Sequence, residues 1–320
     1  MDDARLPWWD DRLGYPGDRS PRVRDYRRLQ SRWREVELGL PPGSYTDRRG
    51  ETRMLGSRLP EGSGPEHQLL SEEAVEYALG RIPQLEAEGG RAEPGRLWLN
   101  MLSSQPLCFS VFGHLAAFPE AGARVLDSVL PWAVDHVDSV LVEHAPAPAA
   151  LRLGGDRPDR TAFDAMVTVT SGSEGVLLGV ETKYTEPFTQ RRYDKPSYHH
   201  VCSRPDAWFR PGVGPAAAAP STNQLWRNLM LAQESGRALG RSSAVVVLTA
   251  AGDRGAARAV TGVRPLLKTP DVHLAHVTLE ALADAALDEP LLRDWAGRLR
   301  SRYLDLSLAA TPGDTSPPSR

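Results

Sequence analysis

Cysteine is nearly absent from this chain. Cys108 and Cys202 are its two thiols in 320 residues, too few for a disulfide framework. His199 and His200 stand close to Cys202, but a structural zinc site takes four ligands at paired spacing, and no second pair follows. An excess of charge of one sign is also lacking, because 38 basic residues face 41 acidic ones. Nucleic-acid binding would therefore have to rest on local basic patches rather than on the whole surface. Lysine is scarce beside arginine, a balance that base composition alone can produce. Long apolar runs are missing, so no segment reads as a bilayer span. The opening residues Met1, Asp2, Asp3, Ala4 and Arg5 are acidic and lack the apolar region of a secretory signal. No internal repeat is evident. These absences leave a cytoplasmic enzyme of one large or two small domains as the expectation.

What is present centres on residues Asp164 to Lys183. Two apolar, β-branched runs flank the turn residues Ser171, Gly172, Ser173, Glu174 and Gly175, which predicts a hairpin. Side chains alternate along a strand, so Glu181 and Lys183 share a face and Thr182 takes the other. A tight turn brings Asp164 beside Glu181. Two carboxylates and one ammonium then converge, an all-oxygen donor set suited to Mg²⁺, with Mn²⁺ as an alternative. The lysine can hold or activate an attacking water. An exposed Glu-x-Lys is often only a solvated ion pair. Here, however, Val176 to Val180 is apolar enough for a strand covered on both faces, and charges ending such a strand need a reason.

An acid on one strand followed by acid-x-Lys on the next resembles the PD-(D/E)XK nuclease superfamily. Four segments in order strengthen the likeness: Asn100 to Phe109, Ala162 to Ala165, Gly179 to Glu186, and Asn223 to Asn228. They look like a bacterial family of restriction endonucleases within that superfamily, and the likeness runs from about Asp25 to Val247. The resemblance implies an α/β fold with a restriction-endonuclease-like core, a mixed central β-sheet flanked by helices, and an N-terminal helical extension. It implies a Mg²⁺-dependent DNA endonuclease serving restriction or phage defence. Catalysis would fall to Asp164, Glu181 and Lys183, and the metal to Asp164, Glu181 and the Thr182 carbonyl. It also places Ser104, Gln105 and Gln224 near the site.

The remaining chain supplies further candidates. Residues 1–65 read as an arm, anchored by Trp8 and Trp9, and a basic helix from Pro21 to Glu37. Residues 66–308 read as the nuclease-like domain and 309–320 as a disordered tail. The arginines of the first helix could follow DNA phosphates or form a solvated basic face. Ser71 is placed to cap a helix through Ile82. Glu73 and Glu76 on it read as surface acids, and the resemblance adds the option of an active-site acid carried on a helix. Ser104 is placed to cap a second helix, whose start favours anions. Val137 to His144 alternates as a first strand, with Glu143 near its end as a further acid. The stretch from Tyr184 to Pro220 reads as a long irregular loop. It holds Arg191, Arg192, Tyr193, Lys195, Tyr198, Trp208 and Phe209, a mixture suited to phosphates and unstacked bases. Thr222 opens a helix on which Gln224, Arg227 and Asn228 share a face, with Arg227 as a phosphate contact. Ser242 to Thr249 and Val272 to Val277 read as the last strands. Expected partners are DNA and a divalent metal, without a membrane, and a homodimer is left open. Two other readings stay open: a catalytically silent nucleic-acid-binding scaffold, and an RNA-processing or repair nuclease.

Overall fold

The computed structural model describes residues 18–309 except 19, 48, 91, 148–152, 155–158 and 160. The arm with Trp8 and Trp9 and the tail from residue 310 lie outside the described residues. The described chain opens with α1 (Pro21–Arg32), prolonged by a π-helical turn at Trp33–Glu37. A small antiparallel hairpin follows, β1 (Gly43–Thr46) with β2 (Thr52–Leu55). Next come α2 (Glu72–Ala87), α3 (Ser104–Ala117) and α4 (Pro119–Val129). Ser71 caps α2 as expected, its Oγ accepting from the Ala74 N–H at 3.2 Å. The helix runs past Ile82 and through Pro83, because Leu85 still has a core to enter. Ser103 rather than Ser104 caps α3, accepting from the Gln105 N–H at 3.2 Å.

The sheet is built from β3 (His136–His144), β4 (Phe163–Ser171), β5 (Glu174–Lys183), β6 (Ser242–Thr249) and β7 (Leu274–Thr278). Their order in space is their order in sequence. The first three pair antiparallel, and β5, β6 and β7 pair parallel. Ser171 pairs with Glu174, which leaves a two-residue loop of Gly172 and Ser173. Gly172 has φ +60°, the left-handed backbone that short hairpin loops demand and glycine supplies at little cost. The parallel strands need crossovers, which α6 (Asn223–Leu239) and α7 (Arg254–Val263) provide. Helices α8 (Leu279–Leu287) and α9 (Arg293–Tyr303) follow, and a short 3-10 turn at Leu306–Ala309 ends the described fold.

Both faces of the sheet are covered, which explains the unbroken apolar runs of its inner strands. Val167, Val180, Val246 and Val277 enter a core shared with α2, α3, α4, α8 and α9. Tyr26, Leu29 and Trp33 enter the same core, so α1 packs against the sheet-bearing body. Met166, Leu177, Val245 and Val247 face the other way, under α6 and α7. That second core also takes Tyr198, Val201 and Phe209. The stretch from Tyr184 to Pro220 is thus not one irregular loop. It carries α5 (Pro196–Ser203) and a short turn of helix at Gly214–Ala217, and its apolar side chains close the sheet's second face.

His114 lies between the first core and α2. It stacks on Trp295 with ring centroids 4.8 Å apart, and its Nδ1 lies 2.9 Å from Ser71 Oγ and 3.3 Å from Glu73. Burial depresses its pKa to about 4, against the opposing pull of Glu73. The unfolded chain takes up this proton from about pH 6.5 downward and the folded chain only near pH 4. Stability should therefore fall across that window and level off beneath it, by at most ~3 kcal/mol from this residue. His114→Phe should flatten the loss, read as the urea midpoint at pH 7, 5.5 and 4.5. An unchanged slope in that variant would assign the acid sensitivity to another group.

Candidate active site

Strand register assembles the site. Ala165 pairs with Val180, which sets Asp164 opposite Glu181 at the next step. On the other side, Val142 pairs with Ala165 and His144 with Phe163, which sets Glu143 opposite Asp164. Three carboxylates thus stand in one row across β3, β4 and β5, at one end of the sheet. Alternation gives Asp164 the face of Met166, and Glu181 and Lys183 the face of Leu177; both are the face beneath α6. Gly179 makes room for this arrangement, because a Cβ there would meet the Phe163 ring at 2.3 Å. Any larger residue would push aside the neighbour of Asp164.

Like charges directly opposite each other destabilise a sheet, and the bonds of the row offset that. Glu181 is 2 % exposed. Its Oε1 accepts from Gln224 Nε2 at 2.5 Å and pairs with the Lys183 ammonium, and its Oε2 accepts from Asn228 Nδ2 at 2.5 Å. Asp164 Oδ2 accepts from the Thr182 N–H at 2.7 Å. Burial, and then the charge of Glu181, still hold the Asp164 carboxyl well above its ordinary range, with Lys183 opposing. Burial raises Glu143 as well, although Gln105 Nε2 donates to it at 2.8 Å. Burial opposes the charge of Lys183, but Glu181 and Asp164 outweigh it, and the pKa lies above the ordinary lysine value. Glu143 has φ +54°, a strained backbone for a residue with a side chain, costing on the order of 1–3 kcal/mol. Such strain persists only where the surroundings enforce it, as they do around this row.

The donor set suits a hard divalent cation, since every ligand on offer is oxygen and two of the carboxyls are raised by burial and mutual repulsion. As the side chains stand, no three of His, Cys, Asp or Glu among the described residues are gathered to enclose an ion. Glu181 is instead turned onto its three partners.

The other expected residues divide. Gln105 and Gln224 join the cluster. Ser104 lies one step away, its N–H donating to both Glu186 oxygens at 3.0 and 3.2 Å. The anion at the start of α3 is therefore the carboxylate of Glu186, which Arg96 also pairs with at 3.2 Å. Arg227, expected as a phosphate contact, is turned inward. It lies 9 % exposed beneath Tyr193, with Cζ 4.3 Å from the ring centroid, and it donates to Asp159 at 3.3 Å and to Thr161. Asp159 also accepts from Lys195 at 2.7 Å and Tyr198 at 2.5 Å. Burial works against that charge, and these donors still hold the Asp159 carboxyl well below its usual range. Arg191 and Arg192 are exposed, and Arg192 pairs with Asp194 at 2.8 Å. Glu73 faces His114 and Glu76 is exposed, and neither bonds to the row. Nor is α1 a bare basic face: Arg34 is buried against the Gly56 and Leu40 carbonyls, and Arg22 pairs with Asp253. Cys202 accepts from Trp226 Nε1 at 3.2 Å, a packing role. Sequence reasoning missed Asn228 as a partner of Glu181, although its helical spacing from Gln224 was visible. It also missed Asp159, whose partners lie far away in sequence.

A family model described as the PD-(D/E)XK nuclease superfamily matches residues 16–305. No curated protein and no solved structure matches the chain.

The buried Arg227 network makes a prediction opposite to a phosphate contact. Arg227→Ala should lower stability by ~1–3 kcal/mol, less than the loss of a lone buried pair because Asp159 keeps Lys195 and Tyr198. The salt dependence of nucleic-acid binding should not change. A salt slope shallower by about one unit at unchanged stability would restore Arg227 as a phosphate contact.

Proposed function

The chain belongs to the PD-(D/E)XK nuclease superfamily, and from that premise we propose that it is a Mg²⁺-dependent endonuclease that hydrolyses DNA phosphodiester bonds. The observation that carries this is the row of Glu143, Asp164 and Glu181 with Lys183 two residues beyond, at one end of a sheet closed on both faces. Asp164 and Glu181 would hold the metal, with the Thr182 carbonyl and Glu143 as further oxygens. When bound, a divalent metal supplies Lewis acidity, offsetting phosphate charge and lowering the pKa of water. Lys183 holds the attacking water and stabilises the negative charge that builds on the phosphate. Water adds to phosphorus as the P–O3′ bond breaks, leaving a 5′-phosphate and a 3′-hydroxyl, the usual outcome in this superfamily. Gln224 and Asn228 orient Glu181, and Gln105 orients Glu143. A restriction or phage-defence role rests on the sequence resemblance. A cytoplasmic location is part of the same proposal; among the described residues no helix is long and apolar enough to cross a membrane.

One observation favours a second reading. Both oxygens of Glu181 already have donors, as a silent scaffold of this fold would have them. The two readings separate on purified protein. With Mg²⁺ or Mn²⁺ it should nick or cut DNA, whereas Ca²⁺ should support binding with little cleavage. Duplex DNA, single-stranded DNA and RNA, tested side by side, assign the substrate and settle the RNA alternative. Lys183→Ala should lower kcat by a factor of about 10²–10³ while leaving binding in place. Asp164→Asn should lose metal binding, read by calorimetry with Mn²⁺, together with cleavage. Absence of cutting on every substrate and metal, with Lys183→Ala binding as the wild type does, would establish the silent scaffold instead.

A further inference from the structure

A cleft of about 700 Å³ does not contain the carboxylate row. It opens beside it. Tyr184, Thr185 and Glu186 line it and follow Lys183 directly in the chain. Asp253 and Gly255 line it from the segment after β6, which runs parallel to β5. Cleft and row therefore share one end of the sheet, the end where the parallel strands finish and ligands of such sheets collect. Tyr184 lies across the strand from Lys183, so the cleft begins one residue from the catalytic lysine, on the other face.

Its lining includes arginines and tyrosines, among them Arg22, Arg58 and Arg258 with Tyr26, Tyr45 and Tyr184. Charges within it are mostly matched. Arg22 pairs with Asp253 at 3.4 Å and Arg27 with Asp18 at 2.5 Å, while Glu186 serves Arg96 and the start of α3. Arg58 is different. Among the described residues no carboxylate stands within ion-pair distance of it, its Nη1 reaches only the Gly95 carbonyl at 3.3 Å, and its Nε is buried without a hydrogen-bond partner. Its Cζ lies 5.7 Å from the centroid of the Tyr45 ring. Burial lowers the Arg58 pKa, offset in part by the more distant Glu61 and by Tyr45. Arg258 is exposed and forms no ion pair among the described residues. A half-buried guanidinium with an unmet donor suits an anion that offers a pair of oxygens to its fork, as phosphate does. Rings beside it suit a base, because stacking asks only for an open π-face.

Size decides what can enter. A space of about 700 Å³ is that of a small ligand, whereas the major groove of a duplex is alone about 12 Å wide. A paired base also offers no free face to a tyrosine. We propose that this cleft holds an unpaired nucleotide of the bound strand, its phosphate on Arg58 and Arg258 and its base against Tyr45, next to the phosphate that the carboxylate row addresses. That this strand is the substrate rests on the nuclease reading; the binding does not.

The experiment uses full-length protein in Ca²⁺ and one oligodeoxynucleotide sequence carrying 2-aminopurine in three forms: fully paired, bulged at the probe, and single-stranded. Bulged and single-stranded forms should bind about tenfold tighter than the duplex, with quenching of the probe. Arg58→Ala and, as a second variant on the β1 hairpin, Tyr45→Leu should each abolish that preference and the quenching while leaving duplex binding within about twofold. Thermal melts of both variants confirm that they fold. Equal binding of the three forms, or a preference that survives in a folded Arg58→Ala, would overturn the proposal. So would quenching by free 2-aminopurine deoxynucleoside monophosphate with none in the oligonucleotides, since the cleft would then serve a free nucleotide. Cleavage in Mg²⁺ is read on the same three forms. No cutting with the base preference intact would remove the nuclease reading and leave the cleft standing.

Discussion

Mutual repulsion of three carboxylates, one buried and two half-buried, is the constraint from which the rest of this structure follows. Glu143, Asp164 and Glu181 occupy successive strands at one level, and a sheet does not place like charges opposite each other without compensation. Every neighbouring element contributes some. Helix α6 supplies Gln224 and Asn228 to Glu181, α3 supplies Gln105 to Glu143, and the backbone of Thr182 supplies a donor to Asp164. Lys183 adds a positive charge within the row, and Arg96 acts on Glu143 from outside it. The compensation is incomplete, as the raised pKa values of Asp164 and Glu143 show. What is missing is positive charge, and oxygen ligands make a hard cation its natural source.

Much of this was legible in the sequence, and for identifiable reasons. The hairpin from Asp164 to Lys183 carries its own instructions: β-branched runs, a glycine turn, and a side-chain period of two. One turn fixes register, and register fixes which residues stand opposite. Gln224, Arg227 and Asn228 were equally legible as one helical face, but not their partners. Arg227 is drawn inward by Asp159 and Thr161, which periodicity cannot reveal because they lie over sixty positions away. The segment after Lys183 misled for a related reason. Its Pro and Gly content reads as loop, yet Tyr198, Val201 and Phe209 are buried on the second face of the sheet. Burial is a property of the assembled face, not of the local pattern.

Arginine carries a structural lesson of its own. An abundance of arginine invites a basic, nucleic-acid-facing surface, but several of these side chains are internal struts. Arg302 is fully buried and donates to the Gln68 carbonyl at 2.6 Å and its side-chain oxygen at 2.7 Å. Arg34 ties the π-helical turn to the loop before β1 and to the carbonyl of Gly56 after β2. Arg81 holds the edge strand β3 through the Val142 carbonyl at 2.9 Å and pairs at 2.8 Å with Glu88, just past the end of its own helix. A guanidinium suits this work because its fixed fork serves several carbonyls at once and its charge is more weakly hydrated than an ammonium. The arginines able to meet an outside anion are those the fold leaves incompletely served, and composition does not distinguish them.

Gln224 joins two parts of the site that would otherwise be independent. Its Nε2 donates to Glu181 while its Oε1 accepts from the Thr189 N–H at 2.8 Å. The segment after β5 is further tied to the start of α6 by Asn223, which exchanges two hydrogen bonds with the Tyr193 backbone at 2.8 and 3.0 Å. Phe188 of the same segment lies 5.2 Å from the Lys183 ammonium and helps to keep it 8 % exposed. One amide thus holds the acid with one end and the covering segment with the other. Turning Gln224 away from Glu181 also takes its oxygen away from Thr189, so the carboxylate cannot change partners while the cover stays fully fastened. Each of these bonds is worth only about 0.5–3 kcal/mol. The hold on Glu181 and the fastening of the segment after β5 thus pass through one side chain.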